Sequence, residues 1–427
     1  MSFSLLGLSP ALCAAAGAAG FKEPTPVQHQ AIAAVLQGQD VLACAQTGSG
    51  KTAAFALPLL QRALDDLLAG RNATGERRAH TLVVVPTREL AVQVGEVFKG
   101  LAQSLPHPLK ITVVFGGVSI NPQMMGLRRG TDIVVATPGR LLDLVEHNAL
   151  ELSAVRTLVL DEADRMLDAG FSDELQSVVA LLPAQRQNLF FSATFAPAVN
   201  VLAQSLLHKP LRIDVLPQPG QAPDITQRAI AVDPRARTQL VRHLIQQSGW
   251  SRALVFVATK YAAEIVADKL RKAGIDAEPL HGQLSQGKRS QVLDDFKASR
   301  IRVVVATDLA SRGIDVVQLP VVVNYDLPRS ADDYTHRIGR TGRSGEAGLA
   351  VSLVSADTQA HWRLIEKRQS LDVALETVEG FEPTLNAIST ATPTTTDMSG
   401  NGGVKGKRPS KKDKLRAAAH AAALPHA

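Results

Sequence analysis

Ala45-Gln46-Thr47-Gly48-Ser49-Gly50-Lys51-Thr52 closes the apolar run Asp40–Ala45, and Asp161-Glu162-Ala163-Asp164 closes another, Thr157–Leu160. A Gly-rich turn ending in Lys-Thr exposes successive backbone N–H groups, a concave set of donors suited to phosphate. Lys51 is then expected at the β- and γ-phosphates, with the Thr52 hydroxyl on Mg2+. Asp161 would leave a buried strand toward the same metal, and Glu162 beside it would polarise a water for attack on a γ-phosphate. The turn alone also occurs in kinases, GTPases and transporters, and the acidic quartet alone could be an ordinary helix start. Together they predict a nucleoside triphosphatase.

Working outward, short β-branched runs alternate with helical stretches, the pattern of parallel sheets. In the first half the runs are Asp40–Ala45, Thr81–Val85, Ile111–Phe115, Asp132–Ala136, Thr157–Leu160 and Asn188–Phe191. In the second they are Ala253–Val257, Ala277–Leu280, Ile301–Ala306, Val321–Tyr325 and Leu349–Val354. Most end in a polar or Gly-containing cluster, so the chemistry is expected beyond the carboxyl ends of two successive sheets. The Pro-rich segment 209–225 reads as a linker between a domain over 1–208 and a second over 226–380. Residues 381–427, rich in Thr, Ala, Gly and Lys, read as a disordered tail.

A chain of 427 residues that is 45% apolar has material for two or three cores. Aromatics, at 4%, are too scarce for a module that reads single strands by base stacking. Cys13 and Cys44 are the only cysteines, which excludes a disulfide framework or a thiolate zinc site and suits a cytoplasmic location. No stretch is long and apolar enough to span a bilayer. Leu5–Gly20 has the apolar character of a signal-peptide core, yet no Lys or Arg precedes Lys22.

The ordered motifs over about residues 1–380 resemble the DEAD-box RNA helicases of superfamily 2, and Phe3-Ser4-Leu5-Leu6-Gly7-Leu8 with the basic tail is similar to the bacterial RhlE-type subgroup. The resemblance implies two tandem RecA-like α/β domains. It makes Gly20-Phe21 with Pro24-Thr25-Pro26-Val27-Gln28 a Q motif, Phe21 stacking on adenine and Gln28 reading its edge. It makes Ser192-Ala193-Thr194 the link between the DEAD segment and His336, coupling hydrolysis to strand separation. In His336-Arg337-Ile338-Gly339-Arg340-Thr341-Gly342-Arg343 it implies arginine fingers at Arg340 and Arg343, and it sets Gly313 and Asp315 at the ribose.

RNA contacts carry over by the same resemblance to Arg88, Gly117, Thr137, Pro138, Arg140, Gln286, Arg289, Thr307 and Asp308. Amides, hydroxyls and guanidinium groups suit phosphates and 2′-hydroxyls, hence binding that is largely independent of base sequence. The expectation is an enzyme that uses Mg-ATP to unwind short RNA duplexes or remodel RNA–protein complexes, with protein partners in RNA processing, decay or ribosome assembly. A DNA-translocating helicase and an ATP-gated, non-catalytic RNA clamp are the alternatives. The Q motif and the DEAD quartet weigh against the first; intact Lys51, Glu162, Arg340 and Arg343 weigh against the second.

Charge is unevenly placed. Residues 401–427 hold seven Lys and Arg against Asp413, which accounts for the whole formal charge of +6 and leaves the first 400 residues balanced. A flexible polycation binds RNA by counterion release, steeply dependent on salt. Deleting residues 401–427 should weaken RNA affinity at low salt and flatten its salt dependence, leaving the maximal ATPase rate nearly unchanged. Equal affinities and slopes in a binding titration of the two proteins would sink that role.

Overall fold

The computed structural model describes residues 2–45, 48–70, 77–215, 224–311, 319–342 and 347–384. Gln46, Thr47, Gly313, Asp315, Arg343 and the tail from 385 lie outside the described residues. The first sheet comprises β1 (Val41–Cys44), β2 (Thr81–Val84), β3 (Ile111–Val114), β4 (Ile133–Ala136), β5 (Thr157–Asp161), β6 (Gln187–Ser192) and β7 (Leu211–Asp214). The second comprises β8 (Ile225–Ala231), β9 (Ala253–Val257), β10 (Ala277–Leu280), β11 (Val303–Thr307), β12 (Val321–Asn324), β13 (Gly348–Val354) and β14 (Leu375–Glu376).

Every pairing between these strands is parallel. The first sheet runs β3-β4-β2-β5-β6-β1-β7 and the second β10-β11-β9-β12-β13-β8-β14, the same permutation shifted by seven. Two RecA-like α/β domains follow from that order. Sheets covered by helices on both faces need strands apolar on both faces, and alternate residues divide between two cores. Val41, Val83, Val135, Val159 and Phe191 face one core, where Phe55 packs on Phe191 with ring centroids 5.1 Å apart. Leu42, Leu82, Val134, Leu158 and Phe190 face the other.

The segment read as a linker contributes structure at both ends. Leu211–Asp214 forms β7 on the edge of the first sheet, paired with β1, and Ile213 is fully buried. Ile225 and Thr226 already pair with β13 as the start of β8. Four residues suffice at an edge, where only one side of the ladder needs a partner, so the surrounding prolines do not forbid a strand. Residues 10–18, inside the signal-like stretch, form a helix that buries Leu12, Ala15 and Ala16. Among the described residues no helix is long and apolar enough to cross a membrane.

Buried Asp40 ties three strands at the far end of β1. Its carboxylate accepts from the Asn188 and His208 N–H groups, both at 2.8 Å, and its carbonyl accepts from the Leu211 N–H at 2.7 Å. Asp40→Ala leaves two backbone donors unmatched and should cost about 2–4 kcal/mol; Asp40→Asn, which keeps one acceptor, should cost less. Urea denaturation of the two variants checks the order.

Candidate active site

All strands of a parallel sheet end on one edge, and the helices that follow begin there. β1 passes through Gly48 (φ 86°) and Gly50 (φ 93°) into the helix Lys51–Leu68. A side chain at Gly50 would be strained by φ and would also meet the Gln28 amide. Gln28 itself is buried: its Oε1 accepts from the Thr25 N–H at 3.0 Å and its Nε2 donates to the Gly50 carbonyl at 3.1 Å. The Q motif is therefore bonded to the phosphate turn, each polar atom of the Gln28 amide keeping a second bonding position. Phe21 is half-buried against the first core. Lys51 is buried and donates to the Ala45 carbonyl at 2.6 Å, across the mouth of the turn.

Two strands away, β5 delivers Asp161, and Glu162 turns the chain into the helix Ala163–Asp168 with φ 54° and ψ 48°. A non-glycine residue in the left-handed region costs about 1–2 kcal/mol. Burial pushes the Asp161 carboxyl up to about 7, opposed by Lys51 and reinforced by Glu162. Glu162 is fixed by Arg165, one turn on, at 2.9 Å, both side chains being buried. Asp164 accepts from the Ala193 and Thr194 N–H groups, each at 3.2 Å, and from the Thr194 hydroxyl at 3.3 Å. The DEAD segment is thus stitched to the Ser-Ala-Thr loop through its last carboxylate. Ser192 is fully buried, and its hydroxyl lacks a hydrogen-bond partner among the described residues.

The second domain presents its helix Ala331–Ile338 to this edge. Arg165 lines one cavity with Asp308, His336, Arg337 and Arg340. Burial, then the charge of Arg165, holds the His336 imidazole below its ordinary pKa despite Asp164. Arg337 lies 4.8 Å above the Phe256 ring and grips Asp308 through two hydrogen bonds of 2.6 and 2.7 Å. Asp308, expected among the RNA contacts, is thereby oriented by the second domain's own helix.

The remaining RNA-type residues gather beyond β2, β3 and β4. The Arg88 guanidinium lies against Gly117 (φ 77°), filling the space a side chain there would need. The Thr137 hydroxyl accepts from the Gly116 N–H at 3.4 Å, Pro138 begins the next helix, and Arg140 donates to the Val118 carbonyl at 2.7 Å. Across the domain boundary Arg289 meets Glu89 at 2.8 Å, each side chain 5% exposed. Gln286, one turn earlier, keeps a buried amide oxygen with no partner among the described residues, and Thr307 ends β11. Glu89, Asp164, Arg165 and Arg337 were given no role from sequence. The i,i+3 spacing of Glu162 and Arg165 was a usable sign; the partners of the other three lie far away in the chain.

A phosphate turn on one parallel sheet, facing a His- and Arg-bearing helix from a second sheet of the same order, defines a two-domain P-loop nucleoside triphosphatase. The chain belongs to the DEAD-box helicases: the DEAD/DEAH box helicase model matches residues 25–202 and the helicase conserved C-terminal domain matches 236–345. It is 38% identical over 389 residues to the ATP-dependent rRNA helicase rrp3 of Sclerotinia sclerotiorum, covering 90% of this chain and 78% of that one. It is 37% identical over 365 residues to the ATP-dependent RNA helicase CshA of Listeria monocytogenes, covering 86% and 68%. The structure of Saccharomyces cerevisiae Dbp5 bound to RNA and ADP BeF3 superposes with a TM-score of 0.75 at 30% identity, covering 88% of this chain and 95% of that one.

The donor set fits a hydrated Mg2+, which takes one or two protein oxygens beside those of phosphate and water. Asp161 is a fully desolvated carboxylate with only Lys51 as a lowering charge, and a cation beside it would hold it ionised. With the folded pKa raised to about 7, the native state binds more protons than the unfolded one, so stability falls as pH rises from about 4 to 7. In EDTA without nucleotide, Asp161→Asn should therefore raise Tm at pH 8, with the gain vanishing near pH 4. Scanning calorimetry across that range decides it, and a variant less stable at pH 8 would refute it.

Proposed function

We propose that the protein is an ATP-dependent RNA helicase that unwinds short duplexes locally or remodels RNA–protein complexes. The observation that supports this most is the shared cavity in which Arg165, partner of Glu162, meets His336 and Arg340. Such a junction makes the state of the nucleotide on one domain felt by the other. Phe21 and Gln28 take the adenine, and Lys51 with the N–H groups of Ala45–Thr52 takes the phosphates. Thr52 and Asp161 would hold Mg2+, which supplies charge neutralisation on the phosphate oxygens. Glu162 orients the attacking water and accepts its proton. Arg340, with Arg343, offsets the charge that develops on the γ-phosphate, and Gly313 and Asp315 hold the ribose.

RNA crosses both domains, on Arg88, Gly117, Thr137, Pro138 and Arg140 of the first and on Gln286, Arg289, Thr307 and Asp308 of the second. Their amide, hydroxyl and guanidinium groups favour backbone contacts and little base preference. Closure around ATP and RNA bends one strand, and hydrolysis reopens the cleft through Asp164, Thr194 and His336. Both cysteines are unpaired, in keeping with a cytoplasmic setting. The fungal relative named an rRNA helicase makes ribosome assembly a fitting pathway.

ATPase rates measured without nucleic acid, with RNA and with DNA separate this reading from the others. Stimulation by RNA alone supports it; stimulation by DNA alone, or no turnover with either, overturns it. Glu162→Gln should lower kcat by about 10²–10⁴, the usual worth of a general base, and leave ATP-dependent RNA binding intact. A wild-type kcat would reject the role of Glu162.

A further inference from the structure

At the opposite edge of the first sheet, a cavity of about 530 Å3 opens where the chain enters β2, β4 and β5. Arg77, Arg78, Arg128 and Arg129 line it, and among the described residues Glu151 is the one acidic member of the lining. That local excess stands out in a sequence whose formal charges cancel over the first 400 residues. The two arginine pairs are held together by backbone. Gly130, at φ 66°, packs against the Arg77 carbonyl so closely that no side chain fits between them. Arg77 is steadied by Asp132 at 3.4 Å and by the Pro108 carbonyl at 3.1 Å. Arg128 and Arg129 are exposed and have no acidic partner among the described residues.

We propose that this cavity is a second RNA site, which takes the phosphodiester backbone of the strand flanking the segment held in the cleft; it rests on the reading that the enzyme acts on RNA. The volume falls within the range of small-ligand pockets. Ala79, Leu127 and Leu150 provide a buried apolar floor for a sugar or base. Guanidinium forks match phosphate oxygens two at a time. An extended polyanion is favoured over a free nucleotide because Arg128 and Arg129 stand exposed at the mouth, giving a rim that a strand can cross. β2 spans only about 13 Å at the usual rise per residue, so the cavity and Arg88 sit at opposite ends of one short strand. RNA anchored at Arg88 raises the effective concentration of its own flank at the cavity.

The test uses the full-length protein with a non-hydrolysable ATP analogue and two RNAs, one filling only the cleft and one three times longer. Wild type should bind the longer RNA more tightly. R128Q/R129Q should lose about fivefold to tenfold in affinity for the longer RNA, with a salt slope shallower by about one to two. Its affinity for the short RNA and the ATPase rate saturated by short RNA should be unchanged. R128K/R129K, which keeps the charge but not the fork, should restore the salt slope and only part of the affinity. Unchanged long-RNA affinity in R128Q/R129Q, or equal loss for both RNAs, overturns the proposal. So does inorganic tripolyphosphate binding that R128Q/R129Q abolishes while the length-dependent gain survives, since the site would then serve a free polyphosphate. A wild type with no RNA-stimulated ATPase is a different result, one that strikes the helicase reading itself.

Discussion

A buried ion pair between Glu89 and Arg289 joins the two domains. It joins the start of the helix Arg88–Ala102 in the first domain to the helix Gln286–Lys297 in the second, with both side chains buried. Burying two charges costs several kcal/mol each, and their attraction repays that cost only when geometry is good. Burial holds the Arg289 guanidinium below its ordinary pKa in spite of Glu89. A pair close to break-even can part at small cost, because either charge is content in water once the surfaces separate. Arg88 lies close enough that its charge lowers the Arg289 pKa further.

The DEAD segment is organised on a similar principle. Each of its three carboxylates has a different environment: Asp161 is desolvated, Glu162 is paired to Arg165, and Asp164 is hydrogen-bonded to the loop after β6. Three acids within four residues would repel strongly if all faced the same way. The left-handed turn at Glu162 separates them, so that local strain is exchanged for relief of repulsion.

The central strands were legible because a strand buried on both faces must be a continuous apolar run, as in Leu82-Val83-Val84 and Val303-Val304-Val305. β7, β8 and β14 were not. Leu211-Arg212-Ile213-Asp214 and Ile225-Thr226-Gln227-Arg228 alternate with charged or polar residues, and their identity as strands comes from the partners they join. The phosphate turn could be read because its chemistry is local in sequence. The Arg337–Asp308 fork and the Glu89–Arg289 pair could not, since nothing in either residue's neighbourhood announces a partner 29 or 200 positions away.

The repeated strand order carries a consequence for stoichiometry. β8 holds the place in the second sheet that β1 holds in the first, yet the chain leaving it reads Val232-Asp233-Pro234-Arg235, without the glycines a phosphate turn requires. Duplication of the scaffold has not duplicated the phosphate turn, and the second copy contributes arginine where the first contributes amides. On the proposed assignment of Arg340, both halves of the nucleotide site lie on one polypeptide, and the reaction calls for no arginine from a neighbouring subunit. That assignment carries an expectation for kinetics: turnover per molecule should not change with enzyme concentration.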